Sequence, residues 1–245
     1  MIKNILKIKT QEELLRKALW LEGKTLAEIV KDINLSDKDS RVTTKGNVGY
    51  VIENGFFGVK KNSDALPDIP HLGIEIKTSP LKYNSDRTKL TVKEPLSLNI
   101  INYFDEAKCD DIKDSSLYKK NKTILFVFYI HDNTKLRSQY EVKYVFLWHI
   151  DDAVLNDLRP DYKKIQNMIL EGRAHEIHQY QHEFLTLCPK HNGTFNDPSE
   201  MTSKRKQPFS ELPAEVRAFR IKNSYMNMII CKNYGFIYEK GGWKV

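Results

Sequence analysis

The sequence predicts an α/β fold of the α+β kind, on three observations. Two capping-box signatures with apolar helical spacing open the chain, apolar runs of strand length follow through its middle, and helical spacing returns beyond residue 160. Helices before and after a run of strands place one sheet with helices packed against it. The 245 residues suffice for one large domain, or a domain with a smaller lobe, that buries a substantial core.

The first signature, Thr10-Gln11-Glu12-Glu13, precedes Leu14, Leu15, Ala18 and Leu19 on one helical face, with Gly23 as the stop. Thr25-Leu26-Ala27-Glu28 repeats it before a short helix through Ile29 and Val30. From Asp37 to Asn47 the chain is a polar loop carrying Arg41 and Lys45, after which Val48, Val51, Ile52 and Phe56 recur at helical spacing and put Glu53 on a helix. Asp68 follows, between Pro67 and Pro70.

In Leu72-Gly73-Ile74-Glu75-Ile76-Lys77 the isoleucines alternate with Glu75 and Lys77. A strand period of two sends both isoleucines to one face and both charges to the other. Beyond it, Lys82 to Lys93 reads as an exposed basic hairpin or loop, because Asn84, Ser85 and Asp86 are turn formers. The runs Leu96–Tyr103, Thr123–Ile130 and Tyr140–Ile150 read as strands that extend the sheet of Glu75, the middle one buried on both faces. Asp161–Glu171 reads as a helix stopped by Gly172, Arg173–Glu183 as helical, Pro189–Pro213 as a long charged loop, and Ala214–Lys232 as a last helix.

Composition is that of an ordinary globular protein, 40% hydrophobic and 29% charged. The net charge of +7 and pI of 9.1 suit a polyanionic partner. Three widely spaced cysteines do not make a disulfide framework and point to a reducing cytoplasm; no run has the length and apolarity of a signal peptide or membrane helix. Gly46 and Gly49 do not form a phosphate-binding loop of the Gly-x-x-x-x-Gly-Lys type, which leaves nucleoside triphosphate use without support.

Two constellations carry chemistry. Glu53, Asp68, Glu75 and Lys77 combine carboxylates that hold hard cations with an ammonium that offsets phosphorane charge, the requirements of metal-assisted phosphodiester hydrolysis. A charged solvent face is the bland reading of the same pattern. His175, His178, His182, Cys188 and His191 form a rival zinc set, against which stands an exposed polar helix without the HExxH signature. Lys204-Arg205-Lys206 is either a phosphate-contacting loop or a solvated charge run.

Lys45-Gly46-Asn47-Val48-Gly49, Glu53, Asp68, Glu75 and Lys77 also resemble the MutH family of mismatch-repair endonucleases and the type II restriction enzymes related to it that cut at GATC. Thr25–Val30 is similar to that family's N-terminal helices, whereas Lys93–Tyr103 and the segment from Arg217 to Met226 are similar to its restriction branch. The resemblance implies a restriction-endonuclease-like core, a mixed sheet flanked by helices, with a DNA cleft between a catalytic lobe near 1–160 and a DNA-reading lobe near 161–245. It implies Asp68, Glu75 and the Ile76 carbonyl as ligands of Mg²⁺, with Mn²⁺ as a substitute, Glu53 as an additional acidic ligand or a group controlling metal occupancy, and Lys77 as the group that positions or deprotonates the attacking water. Hydrolysis would leave a 5′ phosphate.

The resemblance also implies DNA contacts by Lys45, Gly46 and Lys122. Where the repair enzyme carries an arginine and a tyrosine for base reading, this sequence has Cys188 and Arg220, so Lys190, Asn192 and Arg205 join Arg220 as candidates for DNA contact. The implied activity is a Mg²⁺-dependent, GATC-specific cut of double-stranded DNA in a restriction role. A repair-type nick, a non-catalytic GATC-binding effector domain and a zinc-bound structural protein are the alternatives. The restriction relatives are about twice as long, which makes this chain either a catalytic piece of such an enzyme or a compact enzyme that forms a homodimer, induced or not by DNA.

Overall fold

The computed structural model describes residues 5–35, 47–59, 65–190 and 204–244. The loop carrying Arg41 and Lys45, with Gly46, lies outside them, as do His191 and Asn192. Strands in chain order are β1 Ile74–Tyr83, β2 Lys89–Val92, β3 Leu96–Ile100, β4 Thr123–Ile130, β5 Val142–His149, β6 Leu185–Pro189, β7 Lys204–Gln207, β8 Ser210–Glu215, β9 Arg217–Ile221, β10 Tyr238–Glu239 and β11 Gly242–Lys244. The chain forms two compact units, Met1–Glu94 with Thr123–His149 and Asn227–Val245, and Pro95–Lys122 with Ile150–Met226.

The first unit holds a six-stranded mixed sheet in the order β10-β11-β2-β1-β4-β5. Strands β1 and β4 run parallel, Ile76 opposite Leu125, and the other pairs are antiparallel. A parallel pair needs a long crossover. Here the intervening chain builds part of the second unit before returning as β4. Ile74, Ile76, Leu125, Val127 and Val145 share one core cluster with Leu14, Ile29, Val51 and Phe56 from the N-terminal helical segments. Phe126 and Phe128 lie with Phe146 in a second layer of rings 5.2 to 5.8 Å apart, the Phe126 ring also 5.8 Å from Trp148. Layers on both sides explain why β4 is almost wholly buried.

Local signals start the helices as the sequence predicts. Thr10 accepts the Glu13 N–H at the head of the helix Gln11–Ala18, and Thr25 and Glu28 form the reciprocal box before Leu26–Asp32.

The second unit corrects five expectations. Strand β3 does not extend the sheet of Glu75; it pairs with β9 in a separate three-stranded sheet of order β3-β9-β6. The segment Arg217–Ile221, read as the start of the last helix, is the central strand of that sheet, and the helix covers Asn223–Tyr234. The helix read from Asp161 begins at Asp152, capped by Asp151, and carries Pro160 inside it. Arg173–Glu183 contains two short 3₁₀ turns, Ala174–Glu176 and Gln179–Gln181. Within the long charged segment, β7 and β8 form a hairpin.

Buried Asp161 shows why β6 ends up beside the helix Asp152–Leu170. Its carboxylate accepts the backbone N–H groups of Glu183, Phe184 and Leu185 at 2.7 to 3.0 Å, bonds that a burying strand end would otherwise lack.

Candidate active site

A tight reversal before β1 brings the predicted acidic residues together. Pro70–Leu72 makes one 3₁₀ turn and Gly73 adopts φ 66°, a left-handed conformation that glycine enters without a Cβ penalty. The turn lets Ile69 and Ile74 pair in both directions, Ile69 N–H to Ile74 O at 2.8 Å and Ile74 N–H to Ile69 O at 3.2 Å. One step outward on each side stand Asp68 and Glu75. Backbone and carboxylate then interlock: the Asp68 N–H donates to Glu75 Oε2 at 3.1 Å, and the Ile76 N–H donates to Asp68 Oδ2 at 2.9 Å.

Glu75 is 2% exposed, opposite Ile124 in the β4 register. Burying a carboxylate there requires compensation. Lys77 supplies it, its Nζ 2.6 Å from Glu75 Oε1, while 22% of the lysine side chain stays open. The alternation predicted from sequence therefore holds: both charges share the face opposite Ile74 and Ile76. N–H and C=O of one strand residue point to the same edge. The Ile76 N–H meets Asp68, so its carbonyl also faces the edge that Asp68 occupies.

Glu53 lies on Val51–Phe56, which is wound as a π-helix, a form that recurs at functional sites. A Cβ placed on Gly49 would fall 3.4 Å from Glu53 Oε1 and 3.3 Å from Thr78 Oγ1, so the Glu53 carboxylate folds over Gly49 toward β1. Among the described residues no group of three or more His, Cys, Asp or Glu side chains is arranged to hold a metal ion. The structure thus brings Asp68, Glu75, the Ile76 backbone and Lys77 together and leaves Glu53 beside Gly49 and Thr78.

The predicted DNA-contacting residues separate by unit. Lys122 follows the helix Ser116–Asn121, its ammonium 5.9 Å from the centre of the Tyr118 ring. Lys190 donates to Ser97 Oγ at 2.8 Å. Arg220 pairs in register with both Ser97 and Thr186, so these side chains share one face of the three-stranded sheet, and Cys188 follows Thr186 on that face at the strand period. Arg205 is exposed on β7. Lys45, Gly46 and Asn192 fall outside the described residues.

Sequence reading missed a pocket of about 350 Å³ in the second unit, lined by Arg220, Lys222, Thr186, Tyr180 and Asn223 among others. Recognising Arg217–Ile221 as a strand would have placed Arg220 on a sheet face, with Lys222 directly after the strand end. Of the rival zinc set, His175 Nδ1 lies 2.9 Å from Gln207 Nε2, and His182 is buried with its pKa pushed down, chiefly by desolvation.

The family model described as DNA mismatch repair enzyme MutH matches residues 57–161, a span that holds Asp68, Glu75 and Lys77. The chain is 32% identical over 225 residues to the type II restriction enzyme Sau3AI of Staphylococcus aureus, covering 91% of this chain and 43% of that one. It is 30% identical over 184 residues to the DNA mismatch repair protein MutH of Actinobacillus pleuropneumoniae serotype 3 (strain JL03), covering 74% and 77%. With the MutH of Escherichia coli (strain K12 / DH10B) it shares 23% identity over 227 residues, 92% and 93% of the two chains. The chain thus spans less than half the length of the restriction enzyme it matches.

Proposed function

Because the chain belongs to the MutH family, whose restriction-endonuclease-like fold its mixed sheet adopts, we propose that it is a metal-dependent endonuclease that hydrolyses phosphodiester bonds at GATC sites in double-stranded DNA. One observation carries the reading: Asp68, Glu75 and Lys77 interlock at the start of β1.

Two carboxylates and a main-chain carbonyl at the start of β1 form an all-oxygen donor set, the chemistry that fits Mg²⁺ or Mn²⁺. Asp68, Glu75 and the Ile76 carbonyl would hold it, and Glu53 on its π-helical segment would govern occupancy. The ion, when bound, supplies charge neutralisation at the scissile phosphate and acidifies water. Lys77 meanwhile offsets the charge of Glu75, and its partial exposure lets the same ammonium donate to an incoming water or phosphate oxygen. Attack by water oxygen on phosphorus breaks the bond to the 3′ oxygen, which takes up a proton, and leaves a 5′ phosphate. The basic face bearing Lys190 and Arg220, with Arg205, Lys122, Lys45, Gly46 and Asn192, would contact the DNA. A palindromic site suits a homodimer, and a reducing cytoplasm suits the unpaired cysteines. No described helix is long and apolar enough to cross a membrane.

Incubation of the protein with unmethylated plasmid in Mg²⁺, with an EDTA control, tests this. Site-specific cleavage that EDTA abolishes is expected; intact plasmid at every metal concentration overturns it. The share of the mismatch repair proteins that the chain covers, 77% and 93%, favours a second reading, a repair-type nick. Linear product supports the restriction reading, and open circles support the nick.

A further inference from the structure

At the far end of β1 from Asp68, the first unit has a pocket of about 290 Å³ whose lining includes Lys82, Tyr83, Arg87, Lys93, His131 and Asp132. We propose that this pocket binds a phosphate group. Three cations face a single carboxylate there, and the backbone is arranged around one of them.

The β1–β2 hairpin closes between Asn84 and Lys89, with Asn84 N–H to Lys89 O at 3.0 Å and Lys89 N–H to Asn84 Oδ1 at 2.9 Å. Its loop holds Arg87 at φ 59°, a left-handed conformation that glycine or asparagine would adopt at less cost. Strain of this kind persists where surroundings over-determine it. Here the surroundings fix the side chain: the guanidinium carbon lies 4.8 Å from the centre of the Tyr83 ring, and Nη2 donates to Asp132 Oδ2 at 3.0 Å.

Asp132 does not cancel the pocket's charge so much as aim it. Its carboxylate also accepts the Thr134 N–H at 3.0 Å and the Thr134 hydroxyl at 2.7 Å, bonds that with Arg87 hold its pKa at about 2. The Arg87 side chain remains 57% exposed. A guanidinium has five donors in a rigid fork, which matches two oxygens of a phosphate. Lys82 is exposed beside it, whereas Lys93 pairs with the exposed Glu94 at 2.6 Å and adds less.

The phosphate has two possible sources, a free phosphate group or a DNA backbone. Lys82 lies seven residues beyond Glu75 on one strand, about 23 Å at a rise of about 3.3 Å per residue. That length corresponds to roughly seven base-pair steps, so a duplex cut at one end of β1 reaches the other. The DNA source rests on the proposed nuclease reading; phosphate binding itself does not.

Amide NMR spectra of the full chain titrated with inorganic phosphate, against chloride at matched ionic strength, test the pocket without any cleavage. Binding of a duplex lacking GATC, measured in EDTA over a salt series, tests the source. Arg87→Gly removes the fork at a position glycine favours, which offsets part of the lost Asp132 bond, and its melting curve checks that it folds; Lys82→Ala is the second variant. Phosphate is expected to shift amides of residues 83–87 and 131–133 in the wild type and not in Arg87→Gly. If DNA is the source, the log–log salt slope of Arg87→Gly flattens by roughly 0.9. Phosphate shifts with an unchanged slope support a free phosphate ligand. Lys82→Ala is expected to weaken the shifts as well. Absence of phosphate-specific shifts in the wild type, or shifts in Arg87→Gly as large as those of the wild type, overturns the proposal.

Discussion

Replacing Asp68 separates its structural duty from its chemical one. Its Oδ2 accepts the Ile76 N–H at 2.9 Å, a bond to a charged acceptor worth about 1.5 to 3 kcal/mol. In Asp68→Asn the amide oxygen keeps a neutral bond worth about 0.5 to 1.5 kcal/mol, so the net loss is about 1 kcal/mol. Reduced repulsion with Glu75, whose Oε2 lies 3.1 Å from the Asp68 nitrogen, offsets part of it. For a chain of this size 1 kcal/mol corresponds to about 2 to 4 °C in Tm. Asp68→Leu leaves the Ile76 N–H without its acceptor and costs about 1 to 3 kcal/mol. Cleavage should not follow that order. With Asp68 in its proposed role, either variant would remove an anionic oxygen ligand, and losing about 4 kcal/mol of transition-state stabilisation would slow the reaction on the order of 1,000-fold. Calorimetry and a plasmid cleavage time course measure the two effects. Asp68→Asn cutting at the wild-type rate, or slowing only in proportion to its lost stability, would refute the assignment of Asp68 as a ligand.

Further outcomes follow from neighbouring features. Glu75→Ala and Lys77→Ala should each abolish cutting while gel shifts retain most DNA affinity, because phosphate contacts elsewhere dominate binding; normal cutting by both would remove the site from β1. Gly172→Ala should lower Tm by at least about 5 °C, since its Cβ would meet the Phe209 carbonyl oxygen at 2.3 Å in a backbone held at φ 71°; an unchanged melting curve would contradict that contact. His182 is buried with its pKa pushed below the usual 6.5, mainly by desolvation, so the unfolded chain takes up a proton that the folded chain resists. Stability should therefore fall as pH drops below about 6.5, by at most about 1.4 kcal/mol per pH unit from this group, and His182→Leu should flatten that slope in denaturant titrations at pH 7 and pH 5.

The parts of the site that depend on local periodicity were legible in the sequence. Ile74 and Ile76 against Glu75 and Lys77 needed only the strand period, and the helix starts at Thr10 and Thr25 needed only their capping residues. The position of Asp68 was half legible. Its proline neighbours mark a rigid turn, but the bond to the Ile76 N–H depends on the Ile69–Ile74 pairing, which a sequence does not display.

Strand partnership was the least legible. Leu96–Ile100 and Thr123–Ile130 both read as strands, yet they enter different sheets because pairing is decided by residues far away in the chain: β9 for one, β1 for the other. Arg217–Ile221 shows the same limit from the other side. Its burial is nearly continuous because β3 and β6 flank it and the helix Asp152–Leu170 packs nearby, Tyr162 lying 6.5 Å from Phe219. Continuous burial erases the alternation that would have identified a strand, and Val216, Phe219 and Tyr225 then mimic a helical stripe. The cost of that misreading falls on function. Only as a strand does this segment put Arg220 in register with Thr186 and Ser97, and with it Lys190, on one polar face. The proposed catalytic end of β1 could be argued from residues adjacent in sequence, whereas the candidate reading face exists only through pairings that join residues 97, 186 and 220.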